Sequence, residues 1–215
     1  MPPKEAFTIP SLVNYVAKGG TLYHPNEQVS GATSVVTRYL SSGFMWDQVR
    51  VLGGAYGGWF NFNDASGRAM FLSYRDPQLL STLKVYDQAA SFLQEQEVSS
   101  EDLRQSIIGS IGDIDSPLSP DQKGHASLLE FLRGESEDDR RAWREGVLKA
   151  GQSDIKEFAQ RLGKVIGKEG QGRVVVFSSQ QAIDKANAEL PDGQKFHVEP
   201  ALVSGKKTES QDKVE

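Results

Sequence analysis

The run Gly53–Gly58 constrains the fold of this chain more than any other feature, because four of its six residues are glycine. A glycine in a helix interior costs about 1 kcal/mol relative to alanine, so we do not expect a helix to continue through this run. Two strand-like stretches follow, Trp59–Asn63 and Arg68–Tyr74, and the residues between them, Asp64–Gly67, are typical of a turn. The sequence therefore predicts a β-hairpin directly after the glycine run.

Helices are predicted through most of the remaining chain, with strands near its two ends. Asp76-Pro77 is typical of a helix start, with Asp76 as the N-cap, and apolar residues then recur at helical spacing. The predicted helices cover about Gln28–Leu40, Pro77–Glu95, Glu101–Ile111, Pro120–Leu132, Glu137–Ala150 and Asp154–Ile166, and a last one opens at Ser178/Ser179. Two further strands are predicted at Leu12–Ala17 and Arg173–Phe177.

This order of elements predicts the α+β class, with helices packed on one face of a mostly antiparallel sheet. We expect one domain over residues 1–200 and a disordered polar tail over residues 201–215, which contain few apolar side chains. The first residues resemble neither a signal peptide nor a transit peptide, so we expect the chain to begin at a domain boundary.

Composition excludes several classes of function. The formal net charge of -5 argues against a nucleic-acid partner, because binding phosphates requires a basic surface. No apolar stretch approaches the ~18 residues of a transmembrane helix, so we expect no membrane partner. The chain has no cysteine, which removes disulfides and thiolate chemistry.

The three histidines do not form a zinc-peptidase motif, which needs two imidazoles one helical turn apart and a nearby carboxylate. His24, His125 and His197 each lack a second histidine within four residues. His125 and Glu130 are five positions apart and would not share a helix face. We therefore predict no metal site in this chain, and ordinary surface roles for the histidines.

Other kinds of catalytic site have weak support. No serine lies in a Gly-x-Ser-x-Gly motif. The glycine run lacks the Gly-Lys-Ser/Thr ending of a phosphate-binding loop and follows no buried strand, so a nucleotide site is not expected. The simplest interpretation of the run is a close-packed turn.

Arg50 and Tyr56 are six residues apart, with Gly53 and Gly54 between them. An arginine side chain is always charged and a tyrosine hydroxyl is a movable donor, so both could bind a polarised peptide carbonyl beside bare backbone. From local sequence alone, a surface ion pair for Arg50 and a half-buried core position for Tyr56 remain the favoured alternative.

Three blocks of this sequence stand out together: Val49–Gly58, Phe71–Pro77 and Ile108–Pro120. They closely resemble the C-terminal part of presequence proteases, the pitrilysin-type peptidases of mitochondria and chloroplasts that are related to insulin-degrading enzyme. The stretch Val13–Val16 is also similar to the first strand of the family's last domain. The resemblance extends from about Ala6 to Leu190.

The resemblance implies a pitrilysin-type domain from the half of the enzyme that does not bind zinc, so the chain alone is predicted to be inactive. It implies that Arg50 and Tyr56 bind the substrate carbonyl and stabilise the oxyanion at a zinc site in the N-terminal half. It implies that Gly53 and Gly54 let a peptide approach the backbone. The expected substrates are unfolded presequence or transit peptides and other short peptides, in the mitochondrial matrix or the chloroplast stroma.

A second hypothesis is an inactive subunit that keeps the peptidase fold for structural reasons, like the core subunits of the cytochrome bc1 complex. The presence of both Arg50 and Tyr56 argues against this alternative, because a purely structural copy does not need the pair.

Overall fold

The computed structural model describes residues 2–25, 27–167, 170 and 172–201 of the 215-residue chain. Within these residues, six strands form one sheet. The strands are β1 (Lys4–Thr8), β2 (Asn14–Thr21), β3 (Gly57–Asn63), β4 (Arg68–Asp76), β5 (Arg173–Ser178) and β6 (His197–Pro200). The α-helices are α1 (Ala32–Tyr39), α2 (Leu80–Glu95), α3 (Ser100–Ile114), α4 (Pro120–Arg133), α5 (Glu137–Leu148), α6 (Gln152–Val165) and α7 (Gln180–Glu189). The predicted tail lies outside the described residues, apart from Ala201.

The strand order is β3-β4-β2-β5-β1-β6. The three pairings among β3, β4, β2 and β5 are antiparallel, whereas β1 pairs in parallel with both β5 and β6. The α+β class and the predicted hairpin are confirmed. The sheet is mixed because β1 pairs in parallel with β5 and β6. Strands β1 and β6 were not predicted.

One face of the sheet carries the main core. Alternate strand residues such as Val16, Phe71 and Val176 are buried there against helix residues that include Leu83, Tyr86 and Phe158. This arrangement confirms the prediction that helices pack on one face. A smaller cluster joins α1 to α5 through Val35 and Val147, whereas α4 buries none of its residues.

The opposite face of the sheet, here called the open face, carries a row of aromatic rings. Tyr56 and Tyr15 both contact the edge of Tyr74, with ring centroids 5.9 and 5.4 Å from it. Tyr15 is paired in register with Phe177, which stacks on Phe7 at 5.2 Å. Cross-strand aromatic pairs of this kind stabilise neighbouring strands.

The first predicted helix differs from the structure at both ends. It begins at Ala32 rather than near Gln28, and it does not stop at Leu40 but continues as a π-helix over Leu40–Leu52. Buried residues of the π-helix recur every four to five positions, at Leu40, Phe44, Met45 and Val49. This spacing suits the wider turn of a π-helix, in which each N–H bonds to the carbonyl five residues before it.

The helix start at Asp76 was predicted three residues too early. Asp76 is the last residue of β4, and α2 begins at Leu80. The Asp76 carboxylate still accepts local hydrogen bonds, from the Gln78 N–H at 2.8 Å and the Thr82 hydroxyl at 2.7 Å. Ser99 and Ser136 are the N-caps of α3 and α5, and each side chain accepts a hydrogen bond from the backbone N–H three residues later.

Candidate functional site

The turn between the π-helix and β3 positions both predicted site residues. Gly53 follows the π-helix, and a Cβ there would lie 2.6 Å from the carbonyl oxygen of Val49. Gly54 has φ +79°, a conformation that favours glycine. A Cβ on Gly58 would lie 2.7 Å from the Val49 side chain. The chain is therefore closely packed at Gly53 and at Gly58, and Gly54 is needed for the backbone conformation of the turn.

Arg50 lies in the last turn of the π-helix and is exposed. Its guanidinium carbon lies 3.9 Å from the centroid of the Trp46 ring, four residues earlier. Stacking on an indole ring holds a guanidinium in place while leaving its N–H groups available for hydrogen bonds. The sequence analysis did not identify Trp46, although an aromatic four residues before an arginine on a helix is a recognisable signal.

Tyr56 is 68% exposed, so the core position offered as an alternative for it is wrong. Its backbone N–H donates to the carbonyl oxygen of Arg75 at 3.3 Å, which ties the turn to the end of β4. The edge of its ring contacts Tyr74. Tyr56 is thus held both through its backbone N–H and through the contact of its ring with Tyr74.

Arg75 has an unusual backbone conformation, with φ +49°. It is exposed, and its guanidinium carbon lies 5.5 Å from the centroid of the Tyr74 ring. Left-handed backbone is uncommon outside glycine, because the Cβ approaches the following carbonyl oxygen. Nothing in the sequence analysis pointed to this conformation.

A buried polar network lies directly behind Arg75. Asp76 is fully buried, and burial raises the pKa of its carboxyl above the ordinary value of 3.8. The Asn14 side-chain amide donates to the Asp76 carbonyl oxygen at 2.8 Å. The Ser178 hydroxyl donates to the side-chain carbonyl oxygen (Oδ1) of Asn14. These bonds join the ends of β2, β4 and β5, so the segment that supports Tyr56 is rigidly held.

The arrangement presents two kinds of donor, both on exposed side chains. Arg50 offers a charged planar group and Tyr56 a neutral hydroxyl, at opposite ends of a turn that is closed by backbone contacts. The two side chains have different neighbours, Trp46 for Arg50 and Tyr74 for Tyr56. Such donors could bind an oxygen that develops negative charge.

In the part of the chain that the structure describes, no group of three acidic or histidine side chains is placed to hold a metal ion. The same residues include no helix that is both long and apolar enough to cross a membrane.

Comparison with known proteins identifies the family. Residues 4–180 match the family model described as the PreP C-terminal domain. The chain belongs to the PreP C-terminal domain family. It is 44% identical to presequence protease 1, chloroplastic/mitochondrial, of Arabidopsis thaliana over 198 residues, which is 92% of this chain and 18% of that protein. Protein HypA of Clostridium perfringens is 37% identical over 70% of this chain and 15% of its own length. This PreP C-terminal domain thus spans less than a fifth of these relatives.

Solved structures confirm the pitrilysin-type fold of this PreP C-terminal domain. An inactive domain of a peptidase M16 from Pseudomonas fluorescens superimposes with a TM-score of 0.64 at 14% identity, over 82% of this chain and 43% of that one. Pitrilysin superimposes with a TM-score of 0.59, also at 14% identity, over 93% of this chain and 22% of that one.

Proposed function

We propose that this chain is the C-terminal, non-zinc domain of a presequence-degrading metalloendopeptidase, and that Arg50 and Tyr56 act on the scissile peptide. The observation that carries the proposal is the exposure of both side chains, Arg50 at the end of the π-helix and Tyr56 in the turn that follows it. The backbone of this turn is fixed by glycine packing and by the Tyr56–Arg75 hydrogen bond. A preorganised donor needs no rearrangement when charge develops on the substrate.

The proposed roles follow from the chemistry of the two side chains. Attack of water on a peptide carbonyl converts its oxygen into an oxyanion. The Tyr56 hydroxyl donates to this oxygen, and the Arg50 guanidinium supplies a positive charge and further N–H donors. Gly53 and Gly54 lack side chains, so an extended peptide can approach the turn closely.

The zinc of such an enzyme would come from outside this chain, since the described residues offer no suitable ligand set. We propose that its ligands and the rest of the chamber belong to the N-terminal half of the same protein. The small share of the relatives that this chain spans supports this partner. The proposed substrates are unfolded presequence or transit peptides and short peptides, in mitochondria or chloroplasts, as the names of the relatives suggest.

The decisive experiment replaces Tyr56 with phenylalanine in the full-length enzyme. This change removes one hydroxyl and leaves the Tyr74 contact intact, so the melting temperature should not change. Loss of an oxyanion donor typically lowers kcat by about 10²–10³, and we expect a decrease of this size on a presequence peptide. Arg50→Lys should also lower kcat, because a lysine keeps the charge but not the planar fork.

Tyr15→Phe is a matched control, because it removes a hydroxyl from another tyrosine in the same aromatic row. Its kcat/KM should equal that of the wild type. Normal kcat/KM and melting temperature in Tyr56→Phe would contradict the proposed role of Tyr56. Absence of peptidase activity in the full-length wild type would favour the second candidate, an inactive structural subunit. That candidate has one observation in its favour, the fold similarity to peptidase M16 domains described as inactive.

A further inference from the structure

Arg75 is the described non-glycine residue with a positive φ, and its strained backbone lies beside the proposed site. Strained residues persist only where the surrounding structure fixes them, and they concentrate at functional sites. The contacts of Arg75 and of its neighbours in β4 indicate what this strain does.

The residue after Arg75 provides the restraint. Asp76 has no exposed surface, its carboxylate accepts from Gln78 and Thr82, and its carbonyl oxygen accepts from Asn14. On the opposite side, Tyr74 is paired with Gly57 in the sheet. Arg75 is thus held between two fixed residues, and the pairing of β2 with β4 shifts register at this same point.

The contact that depends on this conformation is the one to Tyr56. The Arg75 carbonyl oxygen accepts the Tyr56 N–H at 3.3 Å. This bond continues the β3–β4 pairing by one residue beyond Gly57, into the glycine turn. A change of φ at Arg75 would rotate its backbone and move this acceptor away from Tyr56.

We propose that Arg75 is a positioning residue, whose left-handed backbone fixes its carbonyl oxygen against the Tyr56 N–H and so sets the place of the Tyr56 hydroxyl. This inference rests on the proposed function of Tyr56. It assigns the effect to the backbone of Arg75 and not to its guanidinium, which lies over Tyr74. The two contributions can be separated, because glycine adopts positive φ readily whereas a β-branched residue does not.

The test compares Arg75→Gly with Arg75→Val in the full-length enzyme, on a presequence peptide. Arg75→Val should lower kcat by about tenfold to a hundredfold with little change in KM, because a small displacement of a catalytic group is costly. Arg75→Gly lacks the side chain but keeps the conformation, so its kcat should stay near the wild-type value. Arg68→Val, at the other end of β4, controls for loss of an exposed arginine and should be unaffected.

The kcat of a double variant distinguishes an effect through Tyr56 from a purely structural effect. If Arg75 acts through Tyr56, combining Arg75→Val with Tyr56→Phe should lower kcat no further than Tyr56→Phe alone. If Arg75→Val does not fold, Arg75→Ala replaces it, because alanine also disfavours positive φ.

The possible results separate this inference from the proposed function. Equal losses of kcat in Arg75→Gly and Arg75→Val would assign the effect to the guanidinium and overturn the inference alone. A normal kcat in Arg75→Val together with a lowered kcat in Tyr56→Phe would also overturn the inference alone. Normal kcat in Tyr56→Phe would overturn both.

Discussion

Single residues of the candidate site could be predicted from the sequence only where the side chain carries the information. Arg50 and Tyr56 stand out because a cation precedes a run of glycines and a hydroxyl lies within it. Arg75 could not be found in this way, because its relevance lies in its φ angle and in the carbonyl oxygen that it presents. Trp46 was missed because the helix that places it beside Arg50 was predicted to end at Leu40.

Asp76 is the residue for which the structure predicts a dependence of stability on pH. Burial raises the pKa of this carboxyl in the folded state, so the folded protein holds the proton more tightly than the unfolded chain. Its contribution to stability is then fully present below the ordinary pKa of 3.8 and is lost as the pH rises through the folded value. The contribution of this group to the free energy of unfolding should therefore fall between acidic and neutral pH.

The measurement is urea unfolding of the wild type and of Asp76→Asn at several pH values. Asparagine keeps an acceptor for the Gln78 N–H and cannot ionise. Relative to Asp76→Asn, the wild type should therefore lose stability as the pH rises. Asp64→Asn, in the exposed hairpin turn, controls for removal of one negative charge. A relative gain in stability with rising pH would show that the hydrogen bonds to the carboxylate outweigh its burial.

At the scale of elements, the sequence predicted regular helices well and predicted segments that depend on distant pairing poorly. The caps at Ser99 and Ser136 and the helices that follow them depend on local contacts, which a sequence displays directly. Strand β1 pairs with β5 across most of the chain, Lys4 opposite Val174, and nothing local marks it. The π-helix was missed because its buried residues do not follow the 3.6-residue period.

Two glycines, one inside the π-helix and one directly after it, offer a matched test of the packing there. A Cβ on Gly53 would meet the carbonyl oxygens of Val49 and Gln48 at 2.6 and 3.0 Å, and these backbone atoms cannot move without opening the turn. Gly53→Ala should lower the free energy of unfolding by about 1–3 kcal/mol. A Cβ on Gly43, inside the helix, would meet no atom within 4 Å, so Gly43→Ala should be neutral or stabilise by up to about 1 kcal/mol.

Urea unfolding of Gly53→Ala and Gly43→Ala measures both free energies of unfolding and tests this difference. Equal effects of the two substitutions would show that the turn accommodates a side chain at Gly53. The close packing would then not account for the glycine, and its proposed role in substrate approach would gain weight.

At the scale of the whole molecule, the core is one-sided. The main cluster lies between the helices and one face of the sheet, while the open face presents aromatic rings, among them Trp59 and Phe177 at 48% and 40% exposure. The mixed sheet order could not be deduced from composition or periodicity, whereas the one-sided packing was predicted from the order of helices and strands. Contiguous apolar surface of this kind is typical of a face that another structure covers.

We therefore expect the isolated chain to self-associate through its open face. Sedimentation should show a concentration-dependent increase in mass, and a hydrophobic dye should bind. Phe177→Ser should weaken both effects, because it interrupts the aromatic row beside Phe7. Phe131→Ser is the control: this side chain is 81% exposed, but it lies on α4, away from the sheet. If Phe131→Ser disperses the chain and Phe177→Ser does not, association occurs through α4. A chain that stays monomeric at all concentrations and binds no dye would contradict this prediction and would show that the aromatic row is stable in contact with solvent.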